Sequence, residues 1–149
     1  MVWAGFSAQG KTKIAFLTGW QNSEDYIYTV SEFLLPYAHL HYGTEFIYQQ
    51  DGASIHTSKA SLEFLQEQGV QVLEWTPRSP DLNPIENLWS ILTRRVYHNG
   101  RQFNSVAELR VAIEAAWEGI DSKILRSLVD SMPRRCQEVI EKNGNKTHY

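Results

Sequence analysis

The chain has 149 residues, of which 42% are hydrophobic and 21% charged. A chain of that size supports one domain that buries roughly 68–70% of its unfolded surface, and the balance excludes a disordered tail or a fibrous repeat. The net charge of −3 argues against indiscriminate nucleic-acid binding, because affinity for phosphate comes chiefly from counterion release by Lys and Arg.

That charge is unevenly spread. Residues 1–75 carry three Lys/Arg against eight Asp/Glu, and residues 76–149 carry eleven against nine. Any DNA contact therefore has to be local, or helped by metal ions. The longest stretch free of Asp, Glu, Lys and Arg is residues 33–44, twelve positions, well short of the roughly 18–20 apolar residues of a membrane-spanning helix. Residues 1–7 have neither the basic nor the apolar segment of a signal peptide, and the single Cys136 cannot form an internal disulfide. A reducing interior compartment is the expectation.

In chain order, residues 2–7 and 13–18 are short aliphatic and aromatic segments separated by Ala8, Gln9, Gly10 and Lys11, which predicts a two-stranded hairpin. Asn22, Ser23, Glu24 and Asp25 are cap and first-turn residues. Tyr26, Val30, Phe33, Leu34 and Tyr37 follow at steps of three and four, predicting a helix with one buried stripe that stops near Pro36 or just beyond. Residues 46–48 are expected to form a strand covered on both faces. Ser58 opens a predicted helix holding Leu62 and Leu65, closed by Gly69 in the C-cap position. Residues 70–75 are a further strand candidate.

Pro77, Pro80 and Pro84 fall within nine residues, so the segment 76–84 is neither helix nor central strand but a shaped loop. Three helical stripes follow: Ile85, Leu88, Trp89, Leu92 and Val96; Val106, Leu109, Ile113, Trp117 and Ile120; and Leu125, Leu128, Val129 and Met132. Pro133 has to kink or restart the last helix, which Cys136, Val139 and Ile140 continue towards Gly144. This order predicts an α/β fold over 1–149, a mixed sheet flanked by helices with a helical C-terminal cap.

Two carboxylates stand out by position. Asp51 follows an apolar strand and Glu86 lies in the first turn of a helix fed by the proline-rich loop, the kind of place where ligand sites gather in α/β sheets. Each also has a plainer role open to it. Asn83, Pro84 and Glu86 suit N-cap, N1 and N3, with the Glu reaching back as in a capping box. Asp51 before Gly52 suits a turn, and His56 suits a helix approach. Trp75 and Trp89 suit a core, and the pairs Arg94-Arg95 and Arg134-Arg135 suit solvated helix faces.

As a set these residues resemble a known family. Gln49-Gln50-Asp51-Gly52-Ala53-Ser54-Ile55-His56-Thr57-Ser58, followed by Trp75-Thr76-Pro77-Arg78-Ser79-Pro80-Asp81-Leu82-Asn83-Pro84-Ile85-Glu86-Asn87-Leu88-Trp89, are similar to the catalytic core of the mariner superfamily of cut-and-paste DNA transposases. Thirty-four residues lie between Asp51 and Glu86, the interval of one large branch. The opening residues 1–7 and residues 131–136 fit as well.

The resemblance implies a ribonuclease H-like fold and an active site of three acidic residues holding two Mg²⁺ or Mn²⁺ ions, with Asp51 and Glu86 as catalytic and metal-binding positions. His56 and Asn83 would support the site, and Arg78, Arg94 and Arg95 would contact DNA. It also implies nicking at element ends, strand transfer into target DNA, homo-oligomeric full-length protein, and a nuclear location without membrane contact. The family's first Asp is expected before residue 1, because the only earlier Asp, Asp25, sits at a helix start where the helix dipole favours an acid. On that reading the chain lacks the first strand and the N-terminal helix-turn-helix domains. The sheet is then expected to be divided, with unpaired edges, and the chain alone to bind metal weakly and perform no strand transfer. Gly52 stands where the family usually has Asn. Two other classes remain: a non-catalytic DNA-binding or interaction module derived from a transposase, using the Arg94-Arg95 and Arg134-Arg135 helices, and a ribonuclease H-like nuclease unrelated to transposition.

Overall fold

The computed structural model describes residues 1–74, 79–144 and 147–149. Its contacts group into two units, Met1–Gly5 with Lys11–Ser79, and Phe6–Gly10 with Pro80–Tyr149.

In the first unit, β1 (Val2–Trp3) pairs antiparallel with β4 (Ala15–Phe16) in the register Val2↔Phe16 and Trp3↔Ala15. The expected long hairpin strands are interrupted. Gly5 N–H donates to the Thr12 hydroxyl at 2.9 Å, whereas Thr12 N–H donates to the Gly5 carbonyl at 2.9 Å. A side-chain oxygen thus replaces one backbone acceptor, and the ladder breaks there. Beyond the break, β2 (Phe6–Ser7) and β3 (Gly10–Lys11) form a separate ribbon.

The next helix opens on a complete capping box: Asn22 Oδ1 accepts from the amides of Glu24 and Asp25 at 2.8 and 3.0 Å, and the Asp25 carboxylate accepts from Asn22 N–H at 3.0 Å. Helix α1 (Ser23–Thr29) passes through a π turn at Val30–Leu34 into α2 (Leu35–Tyr42). The predicted stop near Pro36 is therefore corrected. Leu35 N–H reaches the Val30 carbonyl five residues back, and this wider turn accommodates a proline that has no N–H and would crowd an α-helical carbonyl. The helix ends at Gly43, whose φ of 63° is open to glycine.

Strand β5 (Ile47–Tyr48) pairs parallel with β6 (Gln71–Val72). Ile47 is 59% exposed, so this strand is covered on one face only, not both. Between them α3 (Lys59–Glu67) is capped by Ser58, whose hydroxyl accepts from Ser61 N–H, and closed by Gly69 at φ 69°. Tyr26, Val30, Leu34, Leu35, Leu65 and Val70 form the buried core, with Trp3, Phe46, Ile55, Phe64 and Val72 packed against it. Antiparallel and parallel pairing both occur, and the described strands form three separate two-stranded ribbons.

Apart from Phe6–Gly10, the second unit is helical. After a 3-10 turn at Pro80–Leu82 come α4 (Pro84–Val96), α5 (Val106–Glu118), α6 (Ser122–Asp130) and α7 (Met132–Glu141). Leu88, Leu92, Val96, Trp117, Ile120 and Leu125 are buried, and the Trp89 and Trp117 rings stack at 5.8 Å. Pro133 sits in the first turn of α7, so the chain restarts a helix there. The expected α7 stripe is corrected: Cys136 and Ile140 are exposed, and the buried residue is Arg135, 1% exposed. Among the described residues, no helix is long and apolar enough to cross a membrane.

Candidate active site

The strand β5 delivers two polar residues in opposite directions. Gln50 turns inward and is buried, while the Asp51 side chain is 52% exposed. Asp51 Oδ1 accepts from Ala53 N–H at 2.9 Å and lies 2.6 Å from His56 Nδ1. An ionised carboxylate only accepts, so Nδ1 carries the proton of this bond. The turn role of Asp51 is therefore real, but it occupies one oxygen; among the described residues nothing bonds Oδ2. The imidazole is 16% exposed and lies 4.3 Å from the Tyr26 ring. Tyr26 donates its hydroxyl to Gln50 Oε1, and Gln50 Nε2 donates to the His56 carbonyl at 3.1 Å. Burial pushes the Tyr26 phenol above its ordinary value, and pushes Tyr48, 3.1 Å away, up to about 12, with the Asp51 charge raising both.

Glu86 lies at N3 of α4, after Asn83 at the N-cap and Pro84 at N1. These are the positions expected for a capping box, yet the box does not close. Asn83 gives no side-chain cap bond, and among the described residues the exposed Glu86 carboxylate has neither a hydrogen bond nor an ion pair. The contrast with α1 is direct, since there Asn22 and Asp25 complete the same motif. Glu86, Trp89, Ser90, Thr93 and Arg94 line an open depression on one face of α4.

The basic residues divide. Arg94 is exposed and has no hydrogen bond or ion pair among the described residues. Arg95 donates through Nη1 to the Gly119 carbonyl at 2.6 Å, capping the end of α5. Arg78, like Trp75, lies outside the described residues. The solvated-face reading of the Arg134-Arg135 pair is corrected for Arg135, which is buried. Its guanidinium donates to Ser131 Oγ and to the Asp81 carbonyl at 2.8 Å each, and lies 4.4 Å over the Tyr149 ring. The Asp81 carboxylate in turn accepts from Thr147 N–H and Oγ1 at 2.8 and 3.0 Å. Burial lowers the Arg135 pKa from its ordinary value, and the Tyr149 and Asp81 charges partly restore it.

Asp25 is engaged at its own helix start, as the capping acid of α1. Among the described residues no group of three or more His, Cys, Asp or Glu is placed to hold a metal ion. The exposed oxygens of Asp51 and Glu86 are hard donors of the kind that suit Mg²⁺ or Mn²⁺.

The profile of the DDE superfamily endonuclease family matches residues 2–110. The chain belongs to that family. The transposable element Tc3 transposase of Caenorhabditis elegans is 40% identical over 149 residues, covering all of this chain and 45% of the relative. The Tc1 transposase of the same organism is 36% identical, with 54% of it covered. This DDE chain thus spans about half the length of the curated relatives it matches. The Mos1 transposase catalytic domain, solved with raltegravir and Mn, superposes with a TM-score of 0.85 at 18% identity, covering 99% of this chain and 76% of that one. That likeness shows the fold, which is ribonuclease H-like.

Proposed function

We propose that this chain is the catalytic segment of a cut-and-paste DNA transposase, in which Asp51 and Glu86 are two of three acidic ligands for a pair of Mg²⁺ or Mn²⁺ ions. The observation that carries the reading is that each motif carboxylate keeps an oxygen that no described residue claims, although both sit where a turn or a cap would use them. When bound, the ions supply charge neutralisation at a scissile phosphate and activation of an attacking water or 3′-hydroxyl.

The chain's own residues do the rest. His56 and the Ala53 amide hold Asp51 Oδ1, leaving Oδ2 forward. Asn83 stands at the N-cap of α4, and its carbonyl accepts from Glu86 N–H at 3.1 Å. Arg94 lies two turns along the same helix face, about 12 Å from Glu86 by helical rise, a distance suited to holding a neighbouring DNA phosphate; Arg78 and Arg95 are further candidates for that backbone. The substrates are transposon ends and target DNA, by analogy with the Mos1 paired end complex with Mn and the Mos1 strand transfer complex. The work is placed in the nucleus, with a second copy of the full-length protein as partner.

The test incubates the purified chain with Mn²⁺ and a pre-nicked transposon end. Mn²⁺-dependent DNA binding is expected, lost in Asp51→Ala and in Glu86→Ala, without joined products because two carboxylates do not complete the site. Joined products would refute the incomplete site. Unchanged Mn²⁺ dependence in both variants, with loss only in Arg94→Ala, would replace catalysis by a pure binding role.

A further inference from the structure

We propose that His56 is a positioning residue for Asp51, held in place by Tyr26 and Gln50, and that it makes Oδ2 the cation-facing atom of that carboxylate. The inference rests on the metal-binding reading of Asp51 but concerns residues to which no role in that site has been given, Tyr26 and Gln50, and the atom that binds.

His56 is gripped at three points. Its ring lies 4.3 Å from the Tyr26 ring at an interplanar angle of 35°, its carbonyl accepts from Gln50 Nε2 at 3.1 Å, and its Nδ1 meets Asp51 Oδ1 at 2.6 Å. The grip is anchored in the core, because Gln50 is buried and its Oε1 accepts from the hydroxyl of Tyr26, which is 3% exposed. Two donors thus converge on Oδ1, from Ala53 N–H and from His56. A carboxylate rotating about its χ2 would exchange its oxygens; two donors on one oxygen, one from a side chain with little freedom, stop that rotation. Oδ2 is left as the atom with lone pairs to spare, and the hydrogen bond to Oδ1 fixes its direction before any cation arrives. Partners of ligating carboxylates matter in this way generally, costing about 10–100-fold in metal affinity when removed.

The test is heteronuclear NMR on the full chain. In the metal-free protein, His56 is expected to show a slowly exchanging Nδ1–H that is lost in Asp51→Ala, and to exchange that proton about tenfold faster in Tyr26→Phe, which keeps the ring and deletes the hydroxyl. Titration with Mn²⁺ should then broaden the amide signals of residues 51–53. His56→Ala should need at least about tenfold more Mn²⁺ for the same broadening. His56→Asn, whose amide can reach the place of Nδ1, should restore most of the loss, whereas His56→Gln, whose amide reaches the place of Nε2, should not. Absence of the Nδ1–H signal, or equal Mn²⁺ response in His56→Ala and wild type with the fold intact, overturns the positioning role. An unchanged exchange rate in Tyr26→Phe overturns the part given to Tyr26 and Gln50. Failure of the metal reading looks different: the Nδ1–H signal is present, and Mn²⁺ broadens nothing near residue 51 even in wild type, which removes Oδ2 as a cation ligand while His56 still orients Asp51.

Discussion

Whether an acidic residue serves its own helix or a ligand is decided at the level of single bonds, and the two N-cap motifs of this chain give both answers. In α1, Asn22 and Asp25 close every bond of the capping box; in α4, Asn83 and Glu86 occupy the same positions and close none through their side chains. Stability should separate them. Asn22→Ala is expected to cost about 1 kcal/mol of unfolding free energy, and Glu86→Gln to change it by less than about 0.5 kcal/mol, read from urea midpoints. A Glu86→Gln loss as large as that of Asn22→Ala would mean that the carboxylate is a cap after all. Gly52 is a milder case: a Cβ added there meets nothing within 4 Å, so the Asn usual in the family fits without displacing any described atom.

Among the elements, the 3-10 turn at Pro80–Leu82 that precedes α4 is held from a distance. Arg135 on α7 bonds the Asp81 carbonyl, and Thr147 bonds its carboxylate, across 54 and 66 residues. Arg135→Met is expected to lower stability by about 1.5–3 kcal/mol, the range for hydrogen bonds to a charged group, and Arg135→Lys to restore little, because an ammonium does not reproduce the planar fork. Thermal melts followed by circular dichroism would show it, and a Lys variant as stable as wild type would contradict the geometry. No local pattern announces such a residue: an Arg beside Arg134 on an amphipathic helix has the spacing of a solvated face, and only a partner 54 residues away makes it core. The same limit explains the other departures. Periodicity found the Tyr26–Val30–Leu34 stripe, the Ser58 cap and the Gly69 stop, because these depend on neighbours within a turn or two. It misplaced the end of the second helix because a π turn absorbs Pro36, and it overestimated burial of β5 because coverage of a strand depends on what the rest of the chain lays over it. Asp51 and Glu86 stand out in the sequence by motif and spacing, whereas the contacts around His56 depend on Tyr26 meeting Gln50. That grip has its own pH signature. Tyr48 is raised from 10 to about 12, chiefly by burial, and Tyr26 is raised as well. A phenol with a raised folded pKa stabilises the fold fully below its unfolded value and loses that contribution as pH climbs through the folded one. Stability should therefore fall between pH 10 and 12, with Tyr48→Phe flattening the decline in urea midpoints.

Over the whole molecule the problem is charge. On the proposed function, a chain of net −3 must attract phosphate by a few basic groups, by bound cations, or by both, and the two routes respond differently to solution conditions. Eleven of the fourteen Lys and Arg lie in residues 76–149, and of those named as DNA contacts Arg94 is exposed without a partner among the described residues while Arg95 is engaged at Gly119. Few phosphate contacts mean a shallow dependence on salt, about −0.9 in log–log slope for each phosphate neutralised. In EDTA, Arg94→Ala should flatten that slope by about 1, and Glu86→Gln should leave it as it is. Added Mg²⁺ then discriminates. For a protein whose only DNA contacts are Lys and Arg, Mg²⁺ competes for the phosphates and weakens binding; for one whose carboxylates hold the ion against DNA, it strengthens binding until monovalent salt dominates. Fluorescence anisotropy on a duplex end, titrated with Mg²⁺ at fixed ionic strength, is expected to show tighter binding in wild type and in Arg94→Ala, and the ordinary weakening in Asp51→Ala and Glu86→Gln. Weakening by Mg²⁺ in wild type would mean that the acidic side chains of this chain repel DNA without compensation, and that its affinity comes from arginine alone.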